Sequence, residues 1–373
     1  MTKRKTIEDL TRPYFEGKWL NDYYILNTCP FCRGKSTLRF YGNGCSWECF
    51  SCKTGGGPKE MKSLLANRKD AAKYDGLFDN LEEPADPDGL VVVSRYNSPV
   101  QVKRIDTGFK ELDMLTNGLP EGTLSILTGK QGEGKSTFAG QMALNAVNDG
   151  FGVCFYSGEL SSGIFKHWIY SQAAGPNWMN EVTDRFGKKR HVVDDMAKQR
   201  ISKWLGEKLI LYDNTANNTS ETDSIIKRFM ISRRIFGSSL FFVDNLMTAK
   251  IDINRDKDFF RAQANFVGDL ISFAQQERVH VVLIAHPGKA DYGDPNDNVA
   301  GLGDVTRRSS IIMTMHRMSE AEKATENCDN LLVVSKNREY GEYGKIKFNF
   351  NVASKRMVPQ IGEQVKYKWE EEL

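Results

Sequence analysis

Eight consecutive residues, Gly129-Lys130-Gln131-Gly132-Glu133-Gly134-Lys135-Ser136, have the types and spacing needed to grip a polyphosphate. A β-rich run, Thr123–Thr128, leads into them and an apolar helical pattern follows. The Gly-x4-Gly-Lys-Ser spacing therefore sits in the strand–loop–helix context that a phosphate-binding loop requires. The chemistry explains the residue types. Backbone N–H groups must approach phosphate oxygens closely, so Gly129, Gly132 and Gly134 offer no side chain to block them. The following helix adds the positive end of its dipole. Lys135 can reach the β- and γ-phosphates, and the Ser136 hydroxyl can ligate Mg2+. Lys130, Gln131, Glu133 and Thr137 complete the nucleotide-binding segment, whose expected ligand is Mg2+ with ATP or another nucleoside triphosphate. A mere glycine-rich turn is the bland alternative, and the flanks disfavour it.

A phosphate loop alone would serve a kinase, a GTPase or a motor, so its companions matter. Leu240-Phe241-Phe242-Val243-Asp244 is an apolar run ending in a carboxylate, the pattern of a buried strand that presents an acid to the Mg2+ water shell. Asp213 ends a similar run and competes with Asp244, whose run is the more apolar. Glu159, in Tyr156-Ser157-Gly158-Glu159-Leu160, follows the next strand-like run and could polarise an attacking water; capping of the next helix is its other reading. His286 ends Val282-Leu283-Ile284-Ala285 and could sense the γ-phosphate, although a lone histidine is more often structural.

A second chemistry lies near the N-terminus. Cys29, Cys32, Cys49 and Cys52 form two Cys-x2-Cys pairs, spaced as a tetrahedral zinc site needs, because each pair delivers two thiolates to one side of an ion. Four thiolates close the coordination sphere, so this Zn2+ is structural. Cys45 is a spare, expected as a small packed residue. Phe31, Arg33, Lys35, Arg39, Phe40, Tyr41 and Trp47 could stack on bases and contact phosphates, or the aromatics could simply be the core of so small a module.

These residues need positioning elements, and the patterns supply them. Ser36–Tyr41 and Ser46–Phe50 read as strands of a zinc ribbon, residues 1–58. Residues 59–103 read as a linker that carries a short helix, Lys59–Arg68, and an acidic stretch broken by Pro84 and Pro87. Within residues 104–362, eight apolar runs alternate with helical patterns: Leu124–Thr128, Val153–Ser157, Leu209–Asp213, Leu240–Asp244, His280–Ala285, Ile311–Met315, Leu331–Ser335 and Lys345–Phe350. That is α/β, with a mainly parallel sheet covered on both faces and antiparallel pairing among the last runs. Residues 363–373 read as a solvated tail.

Composition sets bounds. At 373 residues with 40% hydrophobic, two or three domains are expected. No run of 18 apolar residues or secretory h-region is visible, so neither a membrane partner nor export is expected. The net charge of +3 hides an asymmetry, since residues 1–75 hold 14 Lys/Arg against 8 Asp/Glu, which suggests a polyanionic partner.

With these residues placed, the main domain resembles the hexameric helicases of the DnaB/Twinkle type, which have a RecA-like P-loop core. The resemblance rests on the ordered runs Arg104–Asn145, Tyr156–Leu160, Leu240–Met247, Val281–Lys289, Gly301–Arg317 and Ser335–Asn351. It implies an ATP-hydrolysing 5′→3′ DNA helicase acting on single-stranded DNA at a replication fork, in a bacterial or phage-infected cytoplasm. Lys135, Glu159 and His286 would be catalytic or sensing residues, and Asp244 would serve Mg2+ with Ser136. Arg338, with Lys336, falls at the arginine-finger position that reaches a neighbour's nucleotide, so the resemblance implies a homo-oligomer, a hexamer. Lys250, Lys289, Arg307 and Arg308 fall in channel loops that contact the strand; Arg307-Arg308 departs from the acidic residues of DnaB there. The ribbon is similar to the zinc module of phage primase-helicases, but residues 59–103 are too few for a primase polymerase domain, so a separate primase, polymerase or loader is the implied partner. Two alternatives stay open: a RadA-like recombination and branch-migration ATPase, whose ribbons use a shorter gap between cysteine pairs, and a nucleic-acid-binding adaptor that ATP only switches.

Overall fold

The structure, a computed structural model, describes residues 11, 13–20, 23–41, 46–75, 77, 102–213, 222–246, 259–286, 303–361 and 365–371. It divides into two units, Met1–Gln101 and Val102–Leu373.

In the first unit, β1 (Gly17–Leu20), β2 (Tyr23–Leu26), β3 (Leu38–Tyr41), β4 (Ser46–Cys49) and β5 (Gly55–Gly56) form one antiparallel sheet in that order. Alternation sets its inner face: Leu38 and Phe40 of β3 point inward, opposite Cys49 and Trp47 of β4. A helix, Pro58–Ala66, closes the module. Proline suits its first turn, the Glu60 carboxylate accepts the Gly57 N–H at 2.8 Å, and Met61 and Leu65, four residues apart, are fully buried in the same core. This corrects one expectation. Phe40 and Trp47 are core residues, with Phe31 stacked on Trp47 at 5.1 Å, and cannot offer their faces to bases. Arg39, on the opposite face of β3, lies instead over the rings of Tyr23 and Phe50.

The second unit opens with a short pair, β6 (Arg104–Ile105) and β7 (Leu119–Pro120). Its main sheet is built from β8 (Thr123–Thr128), β9 (Gly152–Ser157), β12 (Leu209–Tyr212), β13 (Ser238–Asp244), β14 (His280–Ile284), β15 (Ile311–Arg317), β16 (Asn330–Asn337), β17 (Gly344–Asn351) and β18 (Arg356–Pro359). A hairpin, β10 (Met179–Thr183) and β11 (Lys189–Val193), stands outside that sheet. The nine strands lie in the order β12-β9-β13-β14-β8-β15-β16-β17-β18. From β12 to β15 every pairing is parallel, and from β15 to β18 every pairing is antiparallel. All eight expected runs are strands. Sequence reasoning missed β18, the β6–β7 pair and the β10–β11 hairpin. The hairpin strands are largely exposed and polar, so they carry no apolar alternation.

Both faces of the parallel region are covered, which explains its unbroken apolar runs. Leu240 and Phe242 of β13 pack with the helices Lys135–Asn148, Ser162–Ala174 and Asp195–Leu205, whereas Phe241 and Val243 pack with the helices Thr222–Phe236 and Phe259–Glu277. Each fully buried side chain of this kind contributes about 1.5–3 kcal/mol.

The C-terminal residues depart from the solvated tail that was expected. Tyr367 and Trp369 are buried in the core. The Tyr367 hydroxyl donates to Asn145 Oδ1 at 2.9 Å, its ring lies 4.8 Å from the Arg356 guanidinium, and burial pushes its pKa up to about 12. Arg356 in turn donates to the carbonyls of Gln172 and Ala173, at the C-terminal end of a helix where a cation is favoured. The acidic residues had masked two aromatics spaced to point inward. Tyr367→Ala is expected to destabilise this unit by about 3–5 kcal/mol, read from urea unfolding; a loss well under that would mean the tail merely rests on the surface.

Candidate nucleotide site and metal centre

β8 ends at Thr128, and the chain turns through residues 129–134 before the helix Lys135–Asn148 begins. Two glycines there are obligatory. Gly129 has φ 145°, and a Cβ on it would stand 2.3 Å from the Met315 carbonyl oxygen; Gly134 caps the helix at φ 91°. Lys130 and Gln131 are exposed, and Ser136 and Thr137 are half-buried on the first turn of the helix. Glu133 is tucked into the loop: its carboxylate accepts the Lys130 N–H and lies 3.1 Å from His316 Nδ1. Lys135 folds back so that Nζ donates to the carbonyls of Gly129 (2.7 Å) and Lys130 (2.8 Å). Burial lowers its pKa, opposed by the charges of Glu133, Asp244 and Glu159.

Asp244 stands at the end of β13, 3% exposed, and accepts a hydrogen bond from Ser136. Burial pushes its carboxyl up to about 6, the Ser136 bond pulls against this, and Glu159 adds to the rise. Asp213 follows the outermost strand of the parallel region, where its carboxylate accepts the Ser162 hydroxyl. The sheet thus brings Asp244, and not Asp213, to the phosphate loop.

Three backbone bonds beyond the strands hold the loop ends in register. Gly158 N–H donates to the Asp244 carbonyl at 2.6 Å, Leu246 N–H to Ile284 at 3.1 Å, and Ala285 N–H to Leu127 at 3.1 Å. They set Glu159, Asn245 and His286 side by side. Asn245, buried directly after Asp244, donates through Nδ2 to Glu159 Oε1 and lies 3.1 Å from His286 Nε2. With Nδ2 as the donor on both sides, His286 must accept at Nε2 and is neutral. That agrees with its depressed pKa, which burial and Lys135 lower against the pull of Glu159. Sequence reasoning missed Asn245; its signal was its place immediately after the strand-terminal carboxylate.

Lys336 and Arg338 are not part of this constellation. β16 runs antiparallel to β15, with Asn337 opposite Ile311 and Ile311 opposite Ser125, so they lie at the far end of the sheet from the loop that follows Thr128. There Lys336 Nζ donates to the carbonyls of Thr306 and Arg307, and Arg338 Nη2 donates to Arg307 at 2.8 Å, at the end of the helix Gly303–Arg308. Of the candidate strand contacts, Arg307 and Arg308 are exposed on that helix, while Lys250 and Lys289 lie outside the described residues.

The cysteines form a separate centre in the first unit. The same turn is made twice: Arg33 N–H returns to the Cys29 carbonyl (3.0 Å) and Lys53 N–H to that of Cys49 (2.9 Å), with left-handed φ of 62° and 59°. Cys29 N–H then donates to Gly34, and Cys49 N–H to Thr54. The four Sγ atoms all lie within 4.8 Å of one another, and Cys32 and Cys49 are 3.7 Å apart. A tetrahedral zinc with Zn–S bonds of about 2.3 Å has S···S edges of about 3.8 Å, so the donor set fits that ion. Cys45 lies outside the described residues.

Residues 104–358 match the family model described as the DnaB-like helicase C terminal domain. The chain is 22% identical over 276 residues to the replicative DNA helicase DnaB of Treponema pallidum, an alignment that covers 72% of this chain and 58% of that protein. It is 22% identical over 287 residues to the same helicase of Haemophilus influenzae, covering 74% and 59%. The chain therefore spans a little under three-fifths of the length of these relatives. Two solved structures share the fold, RecA-like α/β, at 15% identity. One is an isolated ATPase domain, with a TM-score of 0.55, covering 69% of this chain and 91% of that one. The other, a DnaB-like replicative helicase described with its interactions with primase, has a TM-score of 0.56, covering 80% and 74%.

Proposed function

Because the chain belongs to the DnaB-like helicase C-terminal domain family across residues 104–358, we propose that it is an ATP-driven motor that travels on single-stranded DNA and unwinds a replication fork. The observation that carries this reading is the division of labour across one sheet. Lys135, Ser136, Asp244, Glu159, Asn245 and His286 gather at the strand ends that follow β8, β9, β13 and β14, and Lys336 with Arg338 stands at the other end. Arg338 is out of reach of its own protomer's site and would act on a neighbour's, so the reading takes the form of a closed homo-oligomer, a hexameric ring.

Mg2+, held with the nucleotide by Ser136 and Asp244, would neutralise charge on the β- and γ-phosphates. Lys135 leaves the Gly129 and Lys130 carbonyls to meet those phosphates. Glu159 orients the attacking water and draws on its proton. Asn245 keeps Glu159 aimed while its other contact, His286, reports the γ-phosphate to the following loop. Arg338 from the neighbour completes the charge stabilisation. Arg307, Arg308, Lys250 and Lys289 contact the strand backbone without regard to sequence, and a separate primase, polymerase or loader works with the ring in a bacterial or phage-infected cytoplasm.

The test is steady-state ATP turnover with and without single-stranded DNA, together with the mass of the particle in solution. DNA-stimulated turnover by a multimer of six supports the reading. Turnover indifferent to DNA, by a monomer, would sink it.

Zn2+ on Cys29, Cys32, Cys49 and Cys52 would supply only folding free energy, since no coordination position stays open. Under reducing conditions, a chelator is expected to unfold the first unit and release about one zinc per chain, leaving the unfolding of the second unit unchanged. Metal analysis beside circular dichroism checks this; a first unit that stays folded without metal contradicts it.

A further inference from the structure

The hairpin β10–β11 takes no part in the nucleotide site, and apolar burial does not account for it. Its strands pair with each other from Met179–Val193 to Thr183–Lys189 and are exposed along most of their length; Val193 and, in part, Met179 join the core at the base. What the hairpin carries is charge. Arg185, Lys188, Lys189 and Arg190 stand there against Glu181 and Asp184. Both carboxylates are engaged, Glu181 by Lys189 at 2.8 Å and Asp184 by Arg190 at 3.0 Å. Asp184 also accepts the N–H groups of Phe186 and Lys188, which shapes the turn. Among the described residues no carboxylate is left for Arg185 or Lys188, and between them Phe186 is 72% exposed, with the Arg185 guanidinium 4.7 Å from its ring.

A cationic pocket lies at the foot of this hairpin. Trp178, just before β10, packs against Trp369 with ring centroids 5.6 Å apart. Trp369 and Trp204 then line a cavity of about 120 Å³ together with Arg200, Lys203 and Lys368. That is room for a phosphate group. Among the described residues no carboxylate lines it; Glu370 is turned to the Tyr367 N–H, and Asp149 lies near enough to Lys368 to feel its charge. Arg200 Nη1 is enclosed and has no hydrogen-bond partner among the described residues. A half-buried guanidinium with no partner among the described residues favours an acceptor at the edge it turns to the cavity, and an anionic oxygen is the strongest one.

We propose that the hairpin and this pocket form a second nucleic-acid contact, with Arg185, Lys188 and Arg200 on backbone phosphates and Phe186 stacked on an unpaired base. An exposed aromatic between two cations serves a base and its phosphates together, and the phosphate-sized pocket at the foot of the hairpin offers the backbone a further contact. An acidic protein surface would use the cations but not the stacking face. The inference extends the proposed action on single-stranded DNA to a contact separate from the loops that follow Asp244 and His286.

The experiment measures binding of labelled single-stranded and forked DNA by fluorescence anisotropy across a salt titration, without nucleotide, on the full chain. Arg185→Glu/Lys188→Glu is expected to weaken binding roughly tenfold and to flatten the salt slope by about 1.4 for single strands. Arg200→Gln should flatten it by about 0.7. Phe186→Ala should weaken binding and leave the slope alone. Lys110→Glu, exposed on another helix, is the control, and melting curves check folding. The proposal falls if the hairpin double variant binds with the affinity and slope of Lys110→Glu. Because the double variant changes only exposed side chains, it decides the matter even if Arg200→Gln fails to fold. The two readings separate cleanly: if DNA leaves wild-type turnover unchanged, the motor falls while the hairpin is judged by its slope, and if the slope is unchanged in a DNA-stimulated enzyme, this second contact alone falls.

Discussion

Arg338→Ala is expected to lower ATP turnover by roughly 10^3- to 10^5-fold while the particle keeps its mass and its affinity for nucleotide. The size follows from what an arginine finger does, which is to stabilise charge that appears only in the transition state. Assembly should survive because, within the protomer, the substitution removes one exposed hydrogen bond, from Nη2 to the Arg307 carbonyl, and an isolated bond of that kind is worth about 0.5–1.5 kcal/mol. Mixing distinguishes a borrowed residue from a local one. A protomer with Lys135→Ala cannot hydrolyse its own nucleotide but still presents Arg338. Rings mixed from Lys135→Ala and Arg338→Ala chains should therefore regain activity that neither variant has alone. If mixing restores nothing, or if Arg338→Ala turns over normally, Arg338 serves its own helix terminus and the trans-acting site is wrong.

Glu159→Gln is the second large effect, expected at about 10^2- to 10^4-fold in turnover with nucleotide binding intact. The substitution keeps the shape and can still pair with Asn245, so a loss isolates the carboxylate's charge from its packing. Glu159 is exposed and follows the end of β9. Its aim comes from the Asn245 amide, which also touches His286. Asn245→Ala should thus lower turnover less than Glu159→Gln and should weaken the response to DNA, because it uncouples two loops without removing the base. Rapid-quench measurement of the first turnover separates chemistry from product release. A Glu159→Gln enzyme within twofold of wild type would leave Glu159 as a partner of Asn245 with no part in the chemistry.

Some of this was legible one residue at a time. Asp244 stood out from Asp213 because the run before it is the more apolar, Leu-Phe-Phe-Val against Leu-Ile-Leu-Tyr, and the fold rewards that pattern: β13 lies between β9 and β14 in the sheet interior and buries both its faces, whereas β12, which leads to Asp213, is an edge strand and half-buried. The ribbon aromatics were not legible in this way. Phe40 and Tyr41 are adjacent and similar in type, and only strand register sends Phe40 to the core and leaves Tyr41 half-buried on the other face. The tail misled for a related reason, since three glutamates near the C-terminus outweigh two buried aromatics in any average over composition.

By itself the sequence determined the chemistry that is local in the chain. A phosphate loop and a two-cysteine turn are each made within about eight residues, so spacing and residue type specify them with little help from elsewhere. The apolar runs likewise determined the strands, because a sheet covered on both faces needs nearly continuous hydrophobicity. The tertiary structure decided everything that depends on strand order and register. It set Asp244 against Ser136, about a hundred residues away in the chain. It linked Glu159, Asn245 and His286 from three strand ends, and it carried Arg338 to the end of the sheet opposite the phosphate loop. Those relations rest on hydrogen bonds between distant segments, whose geometry no periodicity within one segment encodes.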